Sequence, residues 1–111
     1  MKDDRVYLLH IRDAIQSILE YTSSGKDHFF ADRKTQDAVV RNLEIIGEAT
    51  KRMSAALKAA HPDISWKPIA GMRDKLVHDY FGVNLQLVWD VVARDLPHLK
   101  VKVAQLLEEL G

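Results

Sequence analysis

Apolar residues recur at intervals of three and four along almost the whole chain, and nowhere do they alternate with period two over a useful length. Tyr7, Leu8, Ile11, Ile15, Ile18 and Leu19 make one such stripe. Ala38, Val39, Leu43, Ile46, Ala49, Met53 and Leu57 make a second, and Leu85, Leu87, Val88, Val91 and Val92 a third. Side chains spaced this way share one face of an α-helix, whereas a half-buried strand needs strict alternation. The pattern therefore predicts an all-α fold, an up-down bundle of four to five helices with short connections. No internal repeat, low-complexity tract or linker interrupts it, so residues 1–111 read as a single helical domain.

Stop and start signals divide the stripes. A first helix runs from about Asp4 to Tyr21 and ends at Thr22-Ser-Ser-Gly25. Lys26 to Asp32 reads as a loop carrying His28, Phe29 and Phe30. Asp32 or Thr35 can cap a long second helix reaching about Ala60, where His61-Pro62-Asp63 breaks it. Ser65 can cap a third helix, Trp66 to about Asp79, with Pro68 tolerated in its first turn. Tyr80 to Val83 reads as a turn, and Asn84 caps a fourth helix over Leu85 to about Asp95. Pro97 then starts a fifth, to about Leu110. Leu85, Trp89 and the Val101/Leu106/Leu110 stripe offer more apolar surface than a small bundle must bury, which leaves room for a homodimer beside the plain core reading.

The charge balance narrows the function. With 16 basic and 16 acidic residues the net charge is zero, which argues against tight non-specific nucleic-acid binding through phosphate contacts alone. A small basic site remains compatible, particularly one doubled by a dimer. The chain has no cysteine, so it offers neither disulfides nor a thiolate zinc site, and it suits a reducing cytoplasm. The charged start Met1-Lys2-Asp3-Asp4-Arg5 leads into no long apolar run, so no signal peptide or membrane span is expected.

Chemistry concentrates in Arg73-Asp-Lys-Leu-Val-His78-Asp-Tyr80. A guanidinium that never titrates near neutrality stands close to an imidazole that does, and a phenol follows. At 100° per residue, Asp74 and His78 lie about 40° apart on one helix face, so a carboxylate can orient the imidazole. Arg73 and Tyr80, seven apart, share a face too. Arg73 and His78, five apart, stand about 140° from each other on a regular helix. They converge only if the helix end loosens near Gly82, or if two copies of the helix meet across a twofold axis. In the second case each Arg73 faces the other copy's His78.

Other candidates are weaker. Glu44 and Glu48 sit one turn apart, with Arg41 one turn earlier. They could bind a metal, act as acid and base, form a surface ion network, or hold Arg73 in place as orienting partners. Gly47 reads as a close helix crossing. His10, His28, His61 and His98 lack metal-ligand spacing, so no metal site or cofactor is expected. Trp66 reads as core, with base stacking as its other use. Lys67 and Lys75 are candidate phosphate contacts for RNA, whereas Arg33, Lys34, Lys51, Arg52 and Lys58 read as a solvated face.

Arg73-x4-His78-x-Tyr80 resembles the Arg-x4-His-x-Tyr signature of HepT-like toxins of the HEPN superfamily. Arg41-Asn-Leu-Glu44-Ile-Ile-Gly47-Glu48-Ala49 resembles that family's long-helix motif. Pro62 and Trp66-Lys-Pro-Ile69 resemble the start of its active-site helix. The resemblance covers nearly the whole chain. It implies a HEPN-like bundle and a metal-independent endoribonuclease, the toxin of a type VII toxin–antitoxin pair. It implies Arg73 and His78 as catalytic residues, Asp74 as the orienting one, and a homodimer with the motifs at its interface. The partner it implies is a MntA-like nucleotidyltransferase antitoxin that transfers AMP to Tyr80. A non-catalytic HEPN module that binds a nucleotide or a partner protein is the alternative.

Overall fold

The structure, a computed structural model, describes residues 3–78 and 84–110, with side chains at all of these except 73–78. Helices α1 (Asp4–Tyr21), α2 (Lys26–Ala31), α3 (Arg33–Arg52), α4 (Ala55–Ala60) and α5 (Trp66–His78) come first. Next is α6 (Leu85–Asp90), and a π-helical turn at Val91–Asp95 joins it to α7 (Leu96–Leu110). No strand occurs among the described residues. The long helical runs are α1, α3, α5 and the continuous α6–α7 arm, with α1 packed on α3 and α7, and α3 packed on α5. The architecture is the all-α bundle that the periodicity predicts.

The apolar stripes meet in one core. Leu8, Ile18, Phe29, Val39, Leu43, Ile46 and Val88 have no exposed surface, and Ile11, Ile15, Leu96 and Val103 have almost none. Burying each such side chain contributes roughly 1.5–3 kcal/mol. Two threonines inside it are satisfied locally: the Thr22 and Thr50 hydroxyls each donate to the carbonyl four residues back, Ile18 and Ile46, at 2.8 Å.

The first helix begins and ends where the sequence signals place it, with the Asp3 carboxylate accepting from the Arg5 N–H at 3.0 Å. Three expectations need correction. Lys26–Ala31 is helical, not a loop. Gly25, at φ 95°, turns the chain in a region that favours glycine, and the buried Phe29 ring packs 5.5 Å from Trp89. Gln36 Nε2 donates to the Phe29 and Phe30 carbonyls, closing the end of the short helix.

The helix expected to reach Ala60 stops at Arg52. Met53 turns extended and buries its side chain, and Ser54 caps α4 by accepting from the Leu57 N–H at 3.2 Å. The Asp4 carboxylate accepts from both the Ser54 N–H (2.8 Å) and its hydroxyl (2.6 Å), which ties this break to the start of α1. A serine that can cap outcompetes continuation of the helix.

Pro97 does not separate two helices. The Leu96 N–H donates to the Val91 carbonyl five residues back, so the backbone widens into a π turn just before the proline. Proline lacks an N–H, and its ring clashes with the carbonyl four residues earlier in a tight α-turn. The wide turn makes room for that ring without breaking the arm.

Candidate functional site

The start of α5 is fixed by contacts from three directions. The Trp66 indole N–H donates to the carbonyls of Lys58 (3.1 Å) and His61 (2.9 Å), pinning the α4–α5 corner. Asp63 takes a 2.8 Å ion pair from Lys102 of α7, and His61 Nε2 lies 3.3 Å from Glu109. The Lys102 ammonium, hydrogen-bonded to Asp63, holds that carboxyl below the usual carboxylate range. Ile64 is buried beneath the corner, and the Ile69 N–H donates to the Ser65 carbonyl at 3.2 Å. Trp66 is thus half-buried and its N–H is spent on the backbone, which is a structural use of the ring.

From this anchored start the backbone is helical through His78. It carries Arg73, Asp74, Lys75 and His78 on the C-terminal half of α5. Along such a helix Arg73 and His78 are about 7.5 Å apart in rise and about 140° apart in rotation. Tyr80 lies outside the described residues, as does Asp79. Lys67, on the first turn of α5, is exposed.

Glu44 and Glu48 lie on α3 beside α1. They line a groove of about 440 Å³ with Tyr7, His10, Arg41 and Arg52. Arg41 Nη1 is 3.7 Å from Glu44 and Arg52 Nε is 3.4 Å from Glu48. Gly47 is buried on the same helix. No group of three or more His, Cys, Asp or Glu side chains able to hold a metal occurs among the described residues. His28 sits by Asp32 at 3.4 Å, and the Thr35 hydroxyl donating to Asp32 at 2.6 Å lowers that carboxyl's pKa.

Sequence reasoning missed a second, larger cleft of about 670 Å³ between α5 and the α6–α7 arm. Ile69 and Met72 of α5 and Leu87 and Val91 opposite form part of its lining, and Arg94, His98 and Lys102 edge it. The spacing of those last three, four residues at each step, is visible in the sequence. The expected helix break at Pro97 hid it, because it assigned Arg94 and Lys102 to different elements. No helix among the described residues is long and apolar enough to cross a membrane.

Comparison with known proteins adds the following. Residues 11–106 match the family model described as Ribonuclease HepT-like. The chain is 48% identical over 101 residues to a Thermococcus cleftensis protein named "Probable ribonuclease HepT", covering 90% of this chain and 92% of that one. It is 46% identical over 110 residues to a Methanocaldococcus jannaschii protein named "Gamma-glutamylcyclotransferase and putative RNase", covering 98% of this chain and 50% of that one. It is 39% identical over 110 residues to a Caldanaerobacter subterraneus protein named "Putative RNase", covering 98% of each. The chain thus spans about half the length of the Methanocaldococcus relative and nearly all of the other two. No solved structure matches it.

Proposed function

The chain belongs to the HepT-like ribonuclease family, and from that membership we propose that it is the endoribonuclease toxin of a type VII toxin–antitoxin pair, cutting RNA at Arg73 and His78 without a metal. The observation that carries the reading is the Arg73-x4-His78 spacing on an unbroken helical backbone inside the matched region. RNA supplies its own nucleophile, the 2′-hydroxyl beside each phosphodiester. His78 takes the 2′-hydroxyl proton as the 2′-oxygen attacks phosphorus, and the bond to the 5′-oxygen breaks as that oxygen receives a proton. The products are a 2′,3′-cyclic phosphate and a free 5′-hydroxyl. The Arg73 fork stabilises charge on the non-bridging oxygens of the pentavalent transition state, and Asp74 orients His78.

Because Arg73 and His78 stand on different faces of the helical backbone, the site is completed by a homodimer in which each Arg73 serves the other copy's His78. Glu44 and Glu48 support the site from α3, and Lys67 and Lys75 contact RNA phosphates. A MntA-like nucleotidyltransferase is the antitoxin, and it transfers AMP from ATP to the Tyr80 hydroxyl. The added bulk and negative charge repel an RNA phosphate and engage Arg73.

Cleavage by purified protein in EDTA tests the assignment. His78→Ala should lose roughly 10²–10⁴-fold in rate, and undiminished cleavage would end it. Mixing inactive Arg73→Ala and His78→Ala chains under exchange tests the shared cleft. A cross-subunit site regains activity in the mixed dimer, which holds one intact Arg/His pair, and a site within one chain regains none. For Tyr80, intact-mass measurement after incubation with the partner and ATP should show added AMP that disappears in Tyr80→Phe.

A further inference from the structure

The cleft between α5 and the α6–α7 arm has a construction that the catalytic motif does not use. Its walls include Ile69, Met72, Leu87 and Val91, all only half-buried, so apolar surface faces the opening. At about 670 Å³ it falls in the range of pockets that hold organic ligands. Along its edge Arg94, His98 and Lys102 follow one another four residues apart, a row about 12 Å long from end to end. Such a row outreaches a single phosphate group.

Lys102 is held by Asp63 at 2.8 Å and Arg94 by Asp90 at 3.3 Å, while His98 has no ion-pair or hydrogen-bond partner among the described residues. Asp95 also lines the cleft. The Arg94 pair is exposed on the arginine side and weak, so a phosphodiester can exchange with Asp90 there, while the half-buried Lys102 keeps Asp63 and offers a phosphate its remaining N–H donors. One wall is α5 itself, so the cleft is continuous with the helix that carries Arg73 and His78.

We propose that this cleft docks single-stranded RNA, one base entering between Ile69, Met72 and Val91 while the flanking phosphates run along Arg94, His98 and Lys102. The proposal rests on the ribonuclease reading and deepens it by giving the enzyme a substrate-binding subsite beside its catalytic helix. The length of the Arg94–Lys102 row favours a strand over a mononucleotide.

The test uses the full-length protein carrying His78→Ala, which binds without cutting, and a short labelled single-stranded RNA followed by fluorescence anisotropy across a salt series. Arg94→Ala and His98→Ala should each weaken binding roughly five-fold, and Arg94→Ala should shallow the slope of log affinity against log salt by about 0.7, the share of one phosphate contact. Gly71→Leu is a second probe. A Cβ at this cleft-lining glycine meets nothing within 4 Å and leucine favours the helix, so the backbone accepts the substitution while the atoms beyond Cβ obstruct the cleft, and circular dichroism checks that the variant is folded. With His78 intact, Gly71→Leu should raise KM about five-fold or more and leave kcat within about two-fold.

Unchanged affinity, slope and KM in a parent that still cleaves would overturn the cleft and leave the ribonuclease reading standing. Cleft-dependent binding by a parent that does not cleave would do the reverse. Displacement of the RNA by free AMP as effectively as by unlabelled RNA would also overturn the proposal, because it would mark a mononucleotide site.

Discussion

Trp66→Phe isolates one bifurcated hydrogen bond at the corner that places the site helix. The substitution keeps an aromatic ring in the half-buried slot and removes only the indole N–H and its ring edge. That N–H is shared between the Lys58 and His61 carbonyls at 3.1 and 2.9 Å. A neutral hydrogen bond contributes about 0.5–1.5 kcal/mol net, and both carbonyls keep a backbone donor, the His61 N–H on Lys58 at 3.3 Å and the Ile64 N–H on His61 at 3.2 Å. The hydrogen bond and the lost ring edge together predict a loss of about 1–2 kcal/mol, a sizeable share of the roughly 5–15 kcal/mol by which a domain is stable. Urea unfolding followed by circular dichroism measures it, and thermal melts should fall by about 4 °C or more. RNA cleavage, assayed where both proteins are folded, should stay within about two-fold, because the indole N–H is occupied by the backbone and a ring remains. Stability within about 0.5 kcal/mol of the parent would refute the pinning role. A selective loss of RNA affinity would favour a stacking role instead.

Four further outcomes follow from the packing. Leu43→Ala, at a position with no exposed surface, should destabilise by about 2–5 kcal/mol in urea titrations. Ser54→Ala removes the α4 cap and one of the two hydrogen bonds to Asp4, and should cost about 1 kcal/mol or somewhat more. In a double-mutant cycle with Asp4→Asn that loss should be non-additive. Gly71→Ala should stabilise by roughly 0.5–1 kcal/mol in thermal melts, since the helix gains a side chain that meets open space. On the acid side, the Asp63 pKa is lowered in the folded state chiefly by Lys102, so its contribution is present above the unfolded pKa and is lost as pH falls through the folded one. Lys102→Met should therefore flatten the decline of urea midpoints below about pH 4, and an unaltered acid limb would refute that role.

Much of the bundle was legible because long amphipathic helices announce themselves by period. The boundaries of α1 and the Asn84 cap, whose side chain accepts from the Leu87 N–H at 3.1 Å, were readable from local chemistry. What escaped depended on partners distant in sequence. Lys26–Ala31 reads as a loop until Phe29 finds Trp89, sixty residues on. The break at Met53 needs the buried thioether and the Asp4 carboxylate, fifty residues back. Pro97 reads as a boundary because a π turn, which removes the clash, leaves no mark in periodicity. The Arg73-x4-His78 spacing that we propose as catalytic was visible at once, and so was the different-face problem between its two residues. The cleft was not, because a wall shared by α5 and the α6–α7 arm exists only after both elements are placed.

The most direct test of the central claim is the chemistry of the ends left on RNA cut in EDTA by purified protein, with Arg73→Ala and His78→Ala beside the parent. Attack by the 2′-oxygen predicts fragments bearing 2′,3′-cyclic phosphates and 5′-hydroxyls, formed by the parent and at least about 10²-fold more slowly by either variant. Fragments with free 3′-hydroxyls, or cleavage that persists unchanged in His78→Ala, would contradict it.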